Sequence, residues 1–439
     1  MNRAEQIIEL AHQSVANNPA KYAIARRVGY VVSHGMSYAS NGYAIRTQGI
    51  AKALNEHGFE TICFLRQGRP WDFLPGSDFS VIQRNIDGVE YIHSPWENLK
   101  SPGNAFKKIK VMAATFENLF RVYRPEVVLA ASNFEVALPA YIAAKKLALP
   151  FHYEVRGFWE ISRISRDPNW EGSEKYNEQV ELEAFLASNA DKIYTLNNAM
   201  KDKLVERGVK LSNISLVANA APSASHKTDK LQKRPDSSEN AKDFFTLGYV
   251  GALVDYEGLD ILVEALALLK DKSYRLIVVG GSNPVNGKAA DDVILNNLHS
   301  QAVKLGVDNQ VTFTGRVPHE QVKGYLDKID VCIIPRKPDP VCELVSALKP
   351  LEYMAFNKPI IASNVAPQKE LLRNGEIGWL FEKGSAQSLS EVIKSFRGEA
   401  PEFVEKKLAS ARKLIQTELT WSNVVKPMVS NLLAESSRL

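Results

Sequence analysis

The sequence predicts an α/β protein built as two successive domains, each with a parallel sheet and crossover helices. Three observations predict it. Short apolar runs alternate with helical patterns from end to end, as strand–helix–strand crossovers require. A polar stretch interrupts that alternation once, near the middle of the chain. The 439 residues also exceed one ordinary core and point to two domains of roughly 200 residues each.

The elements follow in order. Residues 1–27 read as an N-terminal extension that lacks the apolar core of a signal peptide. Within it Ile7, Ile8, Ala11 and Val15 share one helical face, so a short docking helix is expected. From 28 to 221 the strand candidates are 28–33, 60–65, 127–131, 151–155 and 192–195. The helical pattern 43–57 stops at Gly58, which leads straight into the next strand. Residues 222–243 have no apolar period and read as an exposed linker. The alternation restarts over 244–415, with strands at 246–250, 275–279, 311–314, 331–334 and 359–362 and helices at 259–270 and 321–326. Residues 416–439 read as a terminal helix that packs back on the first domain. Two such halves predict Rossmann-like domains facing a central cleft, with ligands at the carboxyl ends of the strands.

Bulk properties exclude several functions. A formal charge of +4 is too small for this length to argue for nucleic-acid binding. Cys63, Cys332 and Cys342 form no metal-ligand spacing, so reduced thiols in a cytoplasmic protein are expected. The longest apolar stretch, 127–144, is broken by Asn133, Glu135 and Pro139, short of a bilayer span. Lys107, Lys108 and Lys110 beside Phe106 and Ile109 read as a solvated helix face or as peripheral contact with anionic lipid at the inner membrane face. No GxGxxG follows any strand, which argues against a dehydrogenase.

The most informative stretch is 348–363, LKPLEYMAFNKPIIAS. Pro350 suits the first turn of a helix that begins near Leu348 and continues through Leu351. A helix start at a sheet end presents unpaired N–H groups, which suit a diphosphate. Lys349 can meet phosphate oxygens. Glu352 can take two vicinal ribose hydroxyls, or it can simply complement the helix dipole.

The ordered segments LGYVGALVDYEGLDILVEAL, RLIVVGG, VTFTGRVPHEQVKGYLDKIDVCIIP and LKPLEYMAFNKPIIASNV resemble the C-terminal half of family 4 glycosyltransferases. The stretches GYVVSHGMSYASNGYAIRTQGIAKALNEHGFE and LPFHYEVRGFWE extend the resemblance to the N-terminal half. It implies the GT-B architecture and retaining sugar transfer, with a nucleotide-sugar donor, UDP- or GDP-linked, held by the C-terminal domain. The acceptor, a glycan or a lipid-linked sugar, falls to the N-terminal domain. Surface-glycan assembly is the implied setting.

Residue by residue, the resemblance makes Glu352 the ribose carboxylate that ends an E-x7-E motif. Leu344 stands where the first glutamate belongs, with Glu343 adjacent. In the segment GALVDYEG from Gly251, Ala252 and Glu257 stand where the family brings two cations to the phosphates. Arg336, Lys337 and Lys349 are the nearest replacements. Gly315 and Arg316 sit where the family contacts the base through its backbone. In the first half, Arg156 stands where the family has a histidine beside the transferred sugar. It can steady charge on the departing phosphate, and Glu154 can orient it or touch the sugar or acceptor. His152 is assigned to the opposite strand face, in a structural role. Asn41 and Gly42 fill the loop that approaches phosphate or acceptor, with helix capping by Asn41 as the alternative. Phe158 and Trp159 read as a sugar floor or as packing. Arg46 and Arg166 read as acceptor contacts or as solvated surface.

No cofactor beyond the nucleotide-sugar cosubstrate is expected, and no metal. Asp291-Asp292 reads as a helix start or loop rather than a metal-binding pair. Two further readings stand beside the transferase: a nucleotide-sugar epimerase or hydrolase of the same fold, and a sugar-nucleotide-binding protein without turnover.

Overall fold

A parallel strand covered on both faces must be apolar along its whole length. The segments VVLAA and VCII meet that demand, and both are fully buried strands in the computed structural model. The structure describes residues 2–14, 23–39, 41–72, 82–97, 100–222, 244–281 and 293–437. The chain divides into two compact units: Met1–Asn219 with Trp421–Leu439, and Ala220–Thr420. The polar stretch from 223 onward and Asp291-Asp292 lie outside the described residues.

Unit 1 contains β1 (Arg27–Val32), β2 (Glu60–Leu65), β3 (Gln83–Ile86), β4 (Val89–Ile92), β5 (Val127–Ala131), β6 (Phe151–Val155), β7 (Lys192–Thr195) and β8 (Ile214–Leu216). They pair in the order β3-β4-β2-β1-β5-β6-β7-β8. Every pairing is parallel except β3 with β4. That hairpin is absent from the strands the sequence predicts, because QRNI, the edge strand, is polar and VEYI beside it is short and broken by Glu90. Its signal was the Asp87-Gly88 turn, where both residues take positive φ.

The stretch 127–144 resolves into β5 and the helix Phe134–Lys146, which buries Phe134 and residues 136–144 and leaves Glu135 exposed. Asn133, which interrupts the apolar run, is the N-cap residue of that helix. Among the described residues, no helix is long and apolar enough to cross a membrane. The helix Arg3–His12 buries Ala4, Ile7 and Ala11, while Ile8 is half-buried and Val15 lies outside the described residues. At the other end of the chain, Lys426–Ser436 buries Met428 and Leu432 within unit 1.

Unit 2 contains β9 (Phe245–Val250), β10 (Tyr274–Val279), β11 (Val311–Phe313), β12 (Val331–Ile334), β13 (Ile360–Ser363) and β14 (Trp379–Phe381). Their order, β11-β10-β9-β12-β13-β14, is parallel throughout. Alternation along the strands builds two cores. Ile333 and Ile361 pack with Leu262, Leu389 and Ile393. Cys332, Ile334, Ile360 and Ala362 pack with Leu351, Tyr353, Met354 and Leu414. Burying a side chain such as Ile333 or Leu262 contributes about 1.5–3 kcal/mol, so both faces hold the sheet and fix where its strand ends lie.

Candidate functional site

Ligands of doubly wound sheets gather beyond the carboxyl ends of the strands, where the strand order reverses. In unit 2 the reversal falls between β9 and β12. The helix Lys349–Ala355 is pinned there by Tyr353, whose hydroxyl accepts from the Val250 N–H at 2.9 Å and donates to the Val250 carbonyl at 3.0 Å. Lys349 is thereby laid across Gly251. A Cβ on Gly251 would lie 2.2 Å from Lys349 Cε, so a larger residue there would push the lysine aside, at a φ of +156° that side chains rarely adopt. Gly280, after β10, is as tight: a Cβ there would meet the Gly251 carbonyl oxygen at 1.9 Å.

Three charges meet at this point. Lys349 Nζ lies 3.0 Å from Glu257 Oε1, and Arg336 Nη2 lies 3.1 Å from the same oxygen. Arg336 Nη1 also donates to the Val345 carbonyl at 2.8 Å. Burial favours the protonated form of Glu257, but Lys349 and Arg336 outweigh it and hold the carboxyl at about 2. Burial likewise opposes the Arg336 charge, and Glu257 more than restores it. Two cations against one carboxylate leave one positive charge in surplus. Glu257 Oε2 and Arg336 Nε are buried without a hydrogen-bond partner, while the Lys349 side chain keeps 16% of its exposure.

This geometry changes the meaning of Glu257. By sequence it stands where a cation is lost; in the fold it gathers two cations, Lys349 and Arg336, onto one oxygen. Lys337 goes elsewhere, to Asp255 and Asp260, at 3.1 Å from each. The head of the helix also offers fewer donors than expected. Pro350 has no N–H, and those of Leu351 and Glu352 already reach the Leu348 carbonyl at 3.0 and 3.2 Å. What the helix presents is therefore the Lys349 ammonium more than a row of backbone N–H groups.

Glu352 sits partly exposed in that first turn. Leu344 ends the helix Pro340–Leu344, and Glu343 points its carboxylate at Lys383 Nζ (2.5 Å) and the Ala366 N–H (3.1 Å). Those bonds commit Glu343 to bracing the helix Ala366–Leu371. The Gly315 carbonyl accepts from the Gly280 N–H at 3.0 Å, which ties the β10 and β11 ends together. Arg316 beside it is exposed.

In unit 1 the reversal falls between β1 and β5. Glu154, near the end of β6, is fully buried and accepts from Tyr30 Oη, from Arg46 Nε at 2.7 Å and from Arg156 Nε at 3.0 Å. Arg156 spends the rest of its fork on the Tyr43 carbonyl (3.1 Å), Thr47 Oγ1 (3.0 Å) and Tyr30 Oη. Arg46 donates to the Val217 and Ala218 carbonyls and to Asn219 Oδ1, at 2.7, 2.9 and 3.0 Å. Burial would raise the Glu154 pKa, yet Arg156 and Arg46 hold it at about 2.

The network is closed, and this revises several expectations. Arg156, expected to face a leaving phosphate, has its donors engaged inside the protein and is 4% exposed. Glu154 orients it, as one reading had it, but touches no open space. Arg46 is neither surface nor acceptor contact; it is buried. Asn41 caps the helix Gly42–Glu56 by accepting from the Ala44 N–H at 3.0 Å, so its side chain is taken; Gly42 opens the helix. His152 is two residues from Glu154 in one strand, and strand alternation puts both on the same face. There His152 Nδ1 meets Tyr194 Oη at 3.0 Å, while Tyr153 turns to Glu183 on the other face.

Sequence reasoning missed an aromatic row at the end of β1. His34 stacks on Tyr43 (5.8 Å between ring centres, 27°), and Tyr43 stacks on Trp159 (5.8 Å, 29°). Phe158 is buried, with the Arg207 guanidinium over its ring, whereas Trp159 is exposed. The signal was the spacing of His34 and Tyr38, in the loop after a strand, and Tyr43, at the start of the helix that follows.

Two family profiles match the chain. Residues 41–220 match the glycosyl transferase 4-like domain, and residues 230–407 match the glycosyl transferases group 1. A glycosyltransferase of Methanocaldococcus jannaschii is 24% identical over 241 residues, 55% of this chain and 59% of that one. The amylovoran biosynthesis glycosyltransferase AmsK of Erwinia amylovora is 25% identical over 174 residues, 38% and 40% of the two chains. The chain thus spans about half the length of the curated relatives it matches. Among solved structures, sucrose-phosphate synthase from Thermosynechococcus elongatus superposes with a TM-score of 0.73 at 17% identity, covering 94% of this chain and 100% of that one. Anabaena HepE, solved with UDP and glucose, gives 0.65 at 16% identity, over 93% and 100%. With both sequence halves matched in order and both parallel sheets in place, the chain belongs to the group 1 glycosyltransferases of the GT-B superfamily.

Proposed function

We propose that this protein transfers a sugar, with retention of configuration, from a nucleoside-diphosphate sugar to a glycan or lipid-linked acceptor. The observation that carries the reading is the Lys349–Glu257–Arg336 cluster beside Gly251, a surplus positive charge at the strand reversal of unit 2. A diphosphate is the ligand that such a charge suits, and the solved complex of Anabaena HepE with UDP supports a uridine nucleotide. Lys349 is the mobile member: its Nζ can leave Glu257 for a phosphate oxygen while Arg336 stays on the carboxylate. Glu352, one turn further on, takes the ribose hydroxyls.

In the reaction the bond from sugar C1 to the diphosphate oxygen breaks, and the bond from C1 to the acceptor hydroxyl oxygen forms. The acceptor proton leaves on the diphosphate, whose developing charge Lys349 stabilises. Arg156 and Glu154 contribute by holding the start of the helix Gly42–Glu56 against β6. Their role is positioning.

A thermal-shift screen of the full chain against UDP, GDP, ADP, CMP and dTDP tests the donor. One diphosphate should raise the melting temperature of the wild type and fail to do so in Glu352→Ala and Lys349→Ala. If no nucleotide shifts the wild type at millimolar concentration, the transferase reading falls and a binding or scaffold role replaces it. NMR of the product anomer tests retention.

A further inference from the structure

The carboxyl ends of β1 and β2 in unit 1 carry a second charged feature that the donor reading leaves unused. The row His34, Tyr43 and Trp159 ends at two half-open rings: Tyr43 is 40% exposed and Trp159 39%. Such a pair of stacked, half-open rings gives a sugar face something apolar to lie on. Beside the row, Arg66 follows β2 directly, its N–H bonded to the Val32 carbonyl at 2.8 Å. One turn later the Arg69 carbonyl meets His93 Nδ1 at 3.0 Å, and the His93 ring abuts Tyr38, which stacks on His34.

Arginines outnumber carboxylates here: Asp72 and Glu135 act on Arg69, and Glu135 pairs with Arg66. Burial lowers the His34 pKa to about 4, and the charges that add to it are Arg69, Arg156 and Arg66. Tyr38 is raised by burial, with Arg69 and Arg66 pulling the other way, and Tyr43 is raised by burial, with Arg156 and Arg166 pulling back. Arg156 is held by Glu154, a carboxylate it shares with Arg46, and its donors are spent inside the protein. Arg66 has the Glu135 carboxylate at 3.1 Å, but that carboxylate is 45% exposed, and Arg66 Nε is buried with no hydrogen-bond partner. A buried guanidinium N–H without an acceptor costs free energy that an incoming anion recovers.

We propose that this end of unit 1 binds a phosphate-bearing sugar, the ring lying on Tyr43 and Trp159 and the phosphate meeting Arg66 and Arg69. Resting on the transferase reading, it names the acceptor class: a glycosyl phosphate or diphosphate, either soluble or lipid-linked. A neutral glycan could offer these arginines hydroxyl oxygens but no charge, whereas a phosphate offers both an acceptor and a countercharge.

Calorimetric titration of the full chain with glucosyl phosphate, glucose, glucuronate and farnesyl-diphosphoryl glucose tests it. Glucosyl phosphate should bind, glucose should bind weakly, and Arg66→Gln and Arg69→Gln should each lose affinity by about tenfold or more. Lys349→Ala should bind glucosyl phosphate as the wild type does. Tighter binding of the farnesyl compound identifies a lipid-linked source, and tighter binding of glucosyl phosphate a soluble one. Equal affinity for glucose or glucuronate overturns the proposal, as does binding lost in Lys349→Ala but kept in both arginine variants. Should the arginine variants fail to fold, quenching of Trp159 fluorescence, read as the difference between the wild type and Trp159→Phe, decides it: no quenching by glucosyl phosphate overturns it. The nucleotide screen is a separate readout, so a chain that ignores nucleotides but binds glucosyl phosphate loses the donor reading and keeps this site.

Discussion

Each unit places a buried glutamate between two cations at the carboxyl end of its sheet, and the two arrangements differ in what they leave open. In unit 1, Glu154 holds Arg46 and Arg156, and the nitrogens of both arginines find protein partners. In unit 2, Glu257 holds Arg336 and Lys349 through one oxygen, while Glu257 Oε2 and Arg336 Nε have no partner. A satisfied buried network rigidifies; one with unmet groups and a partly exposed ammonium can exchange partners. The same three-charge motif therefore acts as a clamp in one unit and as a receptor in the other.

The largest effect should come from cutting the clamp. Glu154→Ala strands two buried guanidinium groups and should cost about 3–5 kcal/mol of stability in urea unfolding. Glu257→Ala should cost clearly less, because Lys349 can turn to water. Equal losses would erase the distinction between clamp and receptor. The pH dependence carries the same information. The folded Glu154 carboxyl, at about 2, lies below its ordinary range, so its contribution is present at neutral pH and lost as pH falls through about 4.5 towards 2.

Glu183 in unit 1 sharpens the comparison by running the other way. Burial, with Glu160 adding to it, raises its carboxyl to about 7. It accepts from the Phe134 N–H at 2.7 Å and bonds Tyr153 Oη, with no cation on it. A folded pKa above the unfolded one means stability that is full in acid and declines as pH rises through about 7. Glu183→Gln should therefore gain about 2–3 kcal/mol over the wild type on going from about pH 5 to about pH 8. A flat difference across that range would mean that Glu183 is ionised at neutral pH after all.

Much of the frame was legible because fully buried strands must be apolar: the segments at 60–65, 127–131, 151–155, 192–195 and 331–334 are strands with those bounds. The edge hairpin was not, since an edge strand with one wet face carries polar residues. The charged clusters were legible only as isolated residues. Glu154 and Arg46 are 108 positions apart and Arg336 and Glu257 are 79 apart, and the crossovers that bring each pair together leave no trace in local spacing. Arg46 reads as surface because a lone arginine in a helix is usually solvated; it is buried because Glu154 compensates it. Glu257 reads as a loss because a motif position says nothing about which cations turn towards it.

A smaller effect separates clamp from receptor at the level of function. Lys349→Met should cost less stability than Glu154→Ala, because Arg336 stays on Glu257, and should weaken the nucleotide-induced thermal shift, equivalent to about tenfold in affinity. Arg156→Lys keeps the charge and loses the fork that reaches Glu154, Tyr43 and Thr47. It should lower the melting temperature without altering nucleotide affinity. The reverse pattern, with Arg156→Lys weakening nucleotide binding at unchanged stability, would put a phosphate contact in unit 1.

The smallest effect tests whether the helix that carries Arg46 and Thr47 into the clamp is itself structural at its start. Asn41 caps it by accepting from the Ala44 N–H at 3.0 Å. Asn41→Ala should cost about 1 kcal/mol, the usual value of a lost cap, and Asn41→Ser should restore most of it. Neither change should alter the response to nucleotide or to glucosyl phosphate, because the Asn41 side chain is spent on the backbone. An Asn41→Ala variant of normal stability that no longer binds glucosyl phosphate would move Asn41 from the frame into the acceptor site and open the clamp at its Tyr43 end.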